Sequence, residues 1–224
     1  MTTYELQHRF DLEVTKFGVT NPVLSVVVED YLNYAYQQYI TEKYDSLINP
    51  AEKFEITERI SRILAPLLDD YTTTTFVSIT TNNVANKLIG FYVAGPGETI
   101  LQYIIKEKAI LNTTDCDDNV ITSNVEVLPF KHNLISSNVD NPFLNPDDNT
   151  IWRVNIKLGR IELLIPYGTT LNTYTCRYIK KQTAINLSTG VTMEIDSSVH
   201  EEIAVKAAYM YLGDLNSKKQ NNGK

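Results

Sequence analysis

The feature that most constrains this chain is the alternation of apolar and polar residues from Thr150 to Pro166. A period of two residues is typical of a β-strand, because successive side chains point to opposite faces of the sheet. Gly159 and Arg160 interrupt the alternation and can supply the two-residue turn of a β-hairpin. The pattern therefore predicts two antiparallel strands with one buried face, formed by Trp152, Val154, Ile156 and Leu158 on the first strand and by Ile161, Leu163 and Ile165 on the second.

Segments of similar composition surround this hairpin between about Tyr71 and Leu187. They are short, rich in Thr, Ile, Val and Tyr, and separated by clusters of Asn, Gly, Pro or Asp, which is the pattern of successive strands. The sequence predicts a central antiparallel β-rich domain, sandwich or barrel-like, over residues 71–190. An Asn- and Pro-rich loop at residues 132–150 interrupts it, and a loop of that length is commonly functional, here as a contact arm.

On either side of this domain, apolar residues recur at helical spacing instead of strand spacing. Leu6, Phe10 and Val14 recur at helical spacing, so residues 1–70 are predicted to form an N-terminal helical block. Ser198 and Glu201 have the spacing of a capping box, which favours a C-terminal amphipathic helix over residues 191–216. This helix should pack back on the helical block, and residues 217–224 should form a flexible tail. The predicted fold class is α+β.

The helix predicted from Asn21 to Leu47 has apolar residues on two faces. One face is a continuous apolar stripe, and the second carries Val26 and several tyrosines among polar neighbours. Either the helix is sandwiched between its own neighbours, or the second face meets another subunit, since Tyr is enriched at interfaces. The candidate subunit interface consists of Val26, Tyr36, Ile40 and Tyr44, with Tyr209 on the last helix.

Charge and cysteine content exclude several classes of protein. The net charge of −7 argues against a protein that grips nucleic acid through a broad basic face. Cys116 and Cys176 lie far apart without metal-ligand spacing, so neither a disulfide framework nor structural zinc is expected. Charged residues near the N-terminus and the absence of a long apolar run predict neither a signal peptide nor a membrane span.

Candidate chemistry is sparse. Asp115, Asp117, Asn119, Ser123 and Glu126 occupy calcium-ligand positions of an EF-hand-like loop, but Val120 stands where the sharp turn requires Gly. A solvated acidic turn is the ordinary interpretation, and calcium binding is the alternative. A hydrolase that uses Asp147 or His132 is a further alternative, although no pattern pairs either residue with a nucleophile. We therefore expect no catalytic residues, no metal and no cofactor.

The C-terminal part carries a resemblance to a known family. It contains the strand YTCRYIKK from Tyr174, the segment AINL from Ala184, and IDSSVHEEIAVKAAYMYL from Ile195 to Leu212. Together with the order of helices, β-rich middle and final helix, these segments resemble the neck ring proteins of tailed bacteriophages, and most of all the ring or head-to-tail connector proteins of crAss-like phages. Such relatives often have Pro in the turn after the strand, where this chain has Gln182.

The resemblance implies a structural virion protein of the neck, not an enzyme, made in the host bacterial cytoplasm. Copies would form a closed ring, dodecameric, below the portal protein, and this ring would join capsid to tail. DNA would pass through its channel without sequence-specific binding, and no membrane would be involved. Portal protein and adjacent neck or tail rings would be the partners, contacted through Asn133, Asn141, Phe143 and Asp147 of the long loop or through the tail from Lys218 to Lys224.

A different class of function is also compatible with the composition. A carbohydrate-binding or host-adhesion β-sandwich module of a phage tail would be similarly rich in Thr, Asn and Tyr. Such a module does not need the helical block, which favours the ring protein.

Overall fold

The computed structural model describes residues 1–48, 54–79, 88–94, 101–131, 134–135, 145–147, 149–157 and 160–222. The chain divides into two compact units, which we call the helical unit (residues 1–67 and 182–224) and the sheet unit (residues 68–181). The predicted α+β class is confirmed. The helical unit contains α1 (Thr3–Lys16), α2 (Ser25–Ile48), α3 (Phe54–Leu64) and α4 (His200–Asn222), and the sheet unit contains β1 (Leu68–Thr73), β2 (Phe76–Ile79), β3 (Leu88–Ala94), β4 (Leu101–Thr114), β5 (Val120–Pro129), β6 (Thr150–Lys157), β7 (Arg160–Pro166) and β8 (Thr170–Lys180).

The first helix begins with a complete capping box. The Thr2 side chain accepts a hydrogen bond from the Glu5 amide, and the Glu5 carboxylate accepts one from the Thr2 amide at 2.7 Å. These contacts satisfy two amides that a helix start would otherwise leave unpaired. The helix buries the side chains that its periodicity predicts, and Leu6, Phe10 and Val14 are at most 1% exposed.

The last helix, α4, is the centre of the helical unit, because it packs against both α1 and α2. Its Ile203, Ala204, Ala207 and Ala208 are completely buried, and the small alanines let neighbouring helices approach closely. Asp196 caps the 3-10 turn Ser197–Val199 that leads into α4 by accepting a hydrogen bond from the Ser198 amide at 2.8 Å. The helix continues to Asn222, so residues 217–222, predicted as part of a flexible tail, are helical.

The sheet unit is built on one sheet with the strand order β1-β8-β4-β5-β6-β7-β3-β2. All of its strand pairs are antiparallel except β5 with β6. The two terminal strands of this order are consecutive in the chain, with only Thr74 and Thr75 between them. Three Cα steps span at most about 11 Å, whereas the edges of eight flat strands lie about 34 Å apart. The sheet must therefore curve until its two edges approach each other at this connection, and we call this strongly curved, barrel-like sheet the barrel.

The barrel interior explains why this curvature is stable. Apolar side chains from five neighbouring strands form one buried cluster, as expected on the inner face of a strongly curved sheet. The cluster consists of Ala109, Leu111, Val125, Val127, Ile151, Ile161, Leu163, Ile165, Leu171, Tyr174, Cys176 and Tyr178.

The predicted hairpin at residues 150–166 is present with two differences. Lys157 pairs with Arg160, so Arg160 belongs to the second strand and not to the turn. The hairpin also buries both faces. Ile161, Leu163 and Ile165 point into the barrel, whereas Trp152 packs with Leu164 and Ile135 in a second cluster. A register shift between Arg153 and Asn155 breaks the simple alternation on which the single buried face was predicted.

Candidate assembly surfaces

The helical unit keeps large apolar side chains on its surface. Phe17 and Tyr209 pack edge to face with ring centroids 5.7 Å apart, yet they remain 59% and 52% exposed. On α2 and just before it, the exposed fractions are 69% for Val26, 56% for Tyr34 and 75% for Leu24. Single exposed apolar residues are normal, but aromatic pairs that stay mostly in water are common at sites of protein contact.

The five predicted interface residues fall into two groups. Val26 and Tyr209 are exposed, as a contact with another copy requires, and Tyr44 is half-buried. Tyr36 and Ile40 are completely buried within the helical unit. The prediction that these two side chains lie on an outward face of α2 is therefore wrong, and the interface that we carry forward contains Val26 and Tyr209.

The segment from Thr183 to Ile195 contributes to the burial of Tyr36. Asn33 on α2 holds both backbone groups of Ile185, donating to its carbonyl at 3.0 Å and accepting from its amide at 2.7 Å. Further along, the Tyr36 hydroxyl accepts a hydrogen bond from the Glu194 amide at 3.2 Å. Burial raises the pKa of Tyr36 to about 12, so this hydroxyl stays protonated. This part of α2 is thus covered by a segment of its own chain. In the sequence, the polar groups of Asn33 and Tyr36 on this face of α2 were the available sign of such a contact.

Of the four residues predicted to form the contact in the long loop, Asp147 lies among the described residues, and Asn133, Asn141 and Phe143 lie outside them. Asp147 organises a turn, because one of its carboxylate oxygens accepts hydrogen bonds from the Asn149 amide at 2.9 Å and the Thr150 amide at 2.7 Å. Burial raises the pKa of Asp147, but these hydrogen bonds outweigh burial and leave it below its ordinary value. A contact between this loop and an adjacent ring stays a prediction.

A two-stranded ribbon at the end of β4 and β5 is a surface that sequence reasoning missed. Strand β8 accompanies β4 only as far as Asn112, and β6 accompanies β5 only from Glu126 onward. Residues 113–122, which we call the arm, therefore project beyond the rest of the sheet. Val120 and Ile121 on the arm are 66% and 50% exposed.

The turn of the arm is held by Asp115. Its carboxylate accepts hydrogen bonds from the Asp117 amide at 2.9 Å, from the Asn119 amide at 2.8 Å and from the Asn119 side chain at 3.2 Å. The hydrogen bond from the Asn119 amide, and after it the one from the Asn119 side chain, holds the pKa of Asp115 below its ordinary value. Ser123 and Glu126 lie on strand β5, so the EF-hand-like positions are divided between a turn and a strand. Among the described residues no cluster of His, Cys, Asp or Glu is arranged to hold a metal ion.

A cleft of about 380 Å³ in the helical unit is lined by α2, α3 and α4. We call it the cationic cleft, because Lys43 and Arg59 line it and Glu202 is the one carboxylate among the described lining residues. The Lys43 ammonium lies 4.9 Å from the centre of the Tyr39 ring, a distance suited to a cation–π interaction. Burial, followed by the nearby Glu202 carboxylate, raises the pKa of Tyr39 to about 12.

The barrel interior contains a charged network that the sequence did not reveal. The Glu107 carboxylate accepts hydrogen bonds from the Arg153 guanidinium at 2.7 Å and from the Tyr174 hydroxyl at 2.5 Å. Burial raises the pKa of Glu107 despite these partners, and burial together with the Glu107 charge raises the pKa of Tyr174. The thiol of Cys176 also lies inside, where burial raises its pKa to about 11. A protonated, enclosed thiol is a poor nucleophile, so this network fits a structural role.

None of the helices within the described residues combines the length and apolarity that a bilayer crossing requires.

Known proteins are similar to this chain over most of its length. The family model described as phage tail ring protein 3/4 matches residues 1–209 of the chain. The chain is also similar to ring protein 3 of Bacteroides phage crAss001, with 27% identity over 230 residues that cover 94% of each protein. Both matches extend through the helical unit and the sheet unit.

Proposed function

This chain belongs to the phage tail ring protein 3/4 family, and from that membership we propose that its copies form a closed ring in the neck of the virion. The ring would lie below the portal protein, join the capsid to the tail and surround the channel through which the genome leaves. We propose twelve copies per ring. The role is structural, without catalysis.

The observation that carries this proposal is the exposed apolar surface of the helical unit. A closed ring uses a heterologous contact, in which each copy offers two different surfaces to its two neighbours. Val26 on α2 and the Phe17–Tyr209 pair beside α4 supply apolar surface that the chain leaves exposed. Covering such side chains contributes roughly 25 cal/mol per Å² of apolar surface, a gain that every interface of a ring repeats.

The acidic balance of the chain is compatible with a DNA channel. A protein that neutralises phosphates with Lys and Arg holds DNA tightly, because counterions are released on binding. A net charge of −7 instead disfavours tight binding, so the DNA can slide past. The long loop that contains Asp147 is proposed to meet an adjacent ring or the portal.

Localisation within purified virions tests this proposal. An affinity-tagged chain, labelled with gold on the tag, should mark the neck in electron micrographs, and symmetry averaging of that region should give a twelve-fold ring. Virions assembled with an untagged chain are the control for nonspecific labelling. Label at the distal tip of the tail would contradict the neck position and favour an adhesion role, and particles without the chain would overturn the structural role.

A further inference from the structure

The arm of the sheet unit and the cationic cleft of the helical unit are complementary, and we propose that the arm of one copy docks in the cleft of a neighbouring copy. This inference rests on the proposed ring, because it names the two different surfaces that a head-to-tail contact requires. The occupant of the cleft is thus a second copy of this chain.

The arm is built for contact outside its own sheet. Two-stranded ribbons are marginally stable alone in water, and this one exposes Val120 and Ile121 where a solvated ribbon would carry polar residues. Strand β4 carries its turn about 40 Å along the strand from Leu101, the residue that pairs with Lys180 where the chain leaves the sheet unit. The arm therefore lies at the end of the barrel remote from this exit.

The charge of the arm is fixed in space before docking. Asp115 uses its carboxylate to hold the turn, which leaves the Asp117 and Asp118 carboxylates without a hydrogen bond among the described residues. Asp118 has φ 60°, the left-handed conformation that Asp tolerates in tight turns. Because the turn is already ordered, docking loses little conformational entropy.

The cationic cleft offers the matching chemistry. Within the described part of the chain, no carboxylate forms an ion pair with Lys43 or Arg59, whereas Lys206 nearby is paired with Glu42 at 2.6 Å. Ile60 and Ile63 contribute apolar wall between the charged groups. A cleft whose described lining carries two cations, one carboxylate and an apolar wall suits an insert with carboxylates beside aliphatic side chains. The arm presents Asp117 and Asp118 beside Val120 and Ile121.

Charge reversal on each side tests the pairing. Asp117→Lys on the arm and the double change Lys43→Glu with Arg59→Glu in the cleft should each lower the assembled fraction of the full chain at least tenfold, measured by sedimentation. A one-to-one mixture of the two variants should restore assembly, because the new lysine at position 117 then meets the carboxylates of the altered cleft while the unchanged arm meets an unchanged cleft. Glu126→Lys is the matched control, since it makes the same charge change on an exposed residue of the sheet unit outside the arm and should assemble like the wild type.

Cross-linking tests the contact independently of ring closure. Cys116 is an exposed thiol on the arm, and Ser46 lines the cleft, so a short bismaleimide should join copies of Ser46→Cys. The products should appear as bands at multiples of 25.4 kDa. The double variant Ser46→Cys with Cys116→Ser should give no such bands, because Cys176 is buried.

The outcomes separate this inference from the proposed function. Rings that survive Asp117→Lys and give no cross-link would overturn arm docking and leave the ring in place. An Asp117→Lys variant that forms rings but does not enter virions would show that the arm meets another protein, which also overturns it. Cross-linked copies without a closed ring would support the contact and contradict the ring. A wild type that formed no ring, together with a Ser46→Cys variant that gave no cross-link, would overturn both the ring and the arm contact.

Discussion

The helical unit and the sheet unit differ in where they place their exposed apolar residues. The sheet unit curves until five strands enclose one core, and it places even an ion pair inside. The helical unit encloses α4 between its neighbours but leaves Phe17, Val26 and Tyr209 in solvent. The sheet unit also exposes apolar side chains, Val120 and Ile121 on the arm among them, but the exposed aromatic pair Phe17–Tyr209 lies on the helical unit, where another molecule can cover it. We therefore assign self-stability to the barrel and much of the assembly surface to the helices.

The largest expected effect is a difference in stability loss between replacing a buried phenylalanine and replacing an exposed one next to the same helix. Phe10→Ala removes a completely buried ring and should lower the free energy of unfolding by about 3–5 kcal/mol. Phe17→Ala, the matched control at a position that is 59% exposed, should cost less than about 1 kcal/mol. Urea unfolding of both variants measures the difference, and equal losses would contradict the division between core and surface.

The ion pair inside the barrel should give the next largest effect. Arg153→Met leaves the buried Glu107 carboxylate without its cation and should cost about 3 kcal/mol of stability. Because removal of the Arg153 cation raises the folded-state pKa of Glu107 still further, this loss should grow as pH rises above the folded-state pKa that Glu107 has in the wild type. Combining Arg153→Met with Glu107→Leu should recover most of the loss. A double variant as unstable as the single one would show that Arg153 acts through packing.

Two valines of similar exposure, one on each unit, sharpen the comparison between the units. Val26→Asp places a charge on the helical surface and should reduce assembly at least tenfold, because burying an unpaired carboxylate is unfavourable. Val77→Asp, on a strand residue with 62% exposure against 69% for Val26, should leave assembly unchanged. Neither change should alter the free energy of unfolding by more than about 0.5 kcal/mol. Sedimentation distinguishes the two variants, and a loss of assembly for both would remove the special role of the helical surface.

The smallest expected effect concerns His200, at the start of α4. Its imidazole is 4% exposed and lies 3.0 Å from the Ile195 carbonyl oxygen and 3.1 Å from the Met1 amino nitrogen. Burial lowers the pKa of His200, so the unfolded chain binds its proton more readily than the folded chain. Stability should therefore fall as pH drops through about 6.5, the ordinary pKa of histidine. The thermal unfolding midpoint of His200→Gln should fall less than that of the wild type between pH 7.5 and 5.5, and parallel curves would exclude the histidine as the cause.

The sequence predicted local features well and long-range ones poorly. Helical spacing identified the buried Leu6, Phe10 and Val14, and strand alternation identified the hairpin at residues 150–166 to within a residue at its turn. The sequence did not decide between a sandwich and a barrel, because that choice depends on which strands flank β1 and β2. Those pairings join residues such as Asp70 and Arg177, far apart in the sequence.

The candidate site shows the same limit. Tyr36 and Ile40 have the composition of an interface, but both are buried, and the distant residue Glu194 hydrogen-bonds Tyr36. The arm was visible only as an acidic turn, because its projection depends on where β8 and β6 cease to accompany β4 and β5. Val26 and Tyr209 were predicted as exposed contact residues, and the structure leaves both on the surface.

The most direct measurement is the mass of the purified full chain across a range of concentrations, compared with Phe17→Ser combined with Tyr209→Ser. The wild type should form one closed species at an integral multiple of 25.4 kDa, twelve copies by our proposal, and the double variant should remain a folded monomer. Tyr167→Ser, at a 65% exposed tyrosine of the sheet unit, should assemble like the wild type. A wild type that stays monomeric at every concentration, and also when mixed with portal protein, would contradict the claim that other copies cover the helical surface.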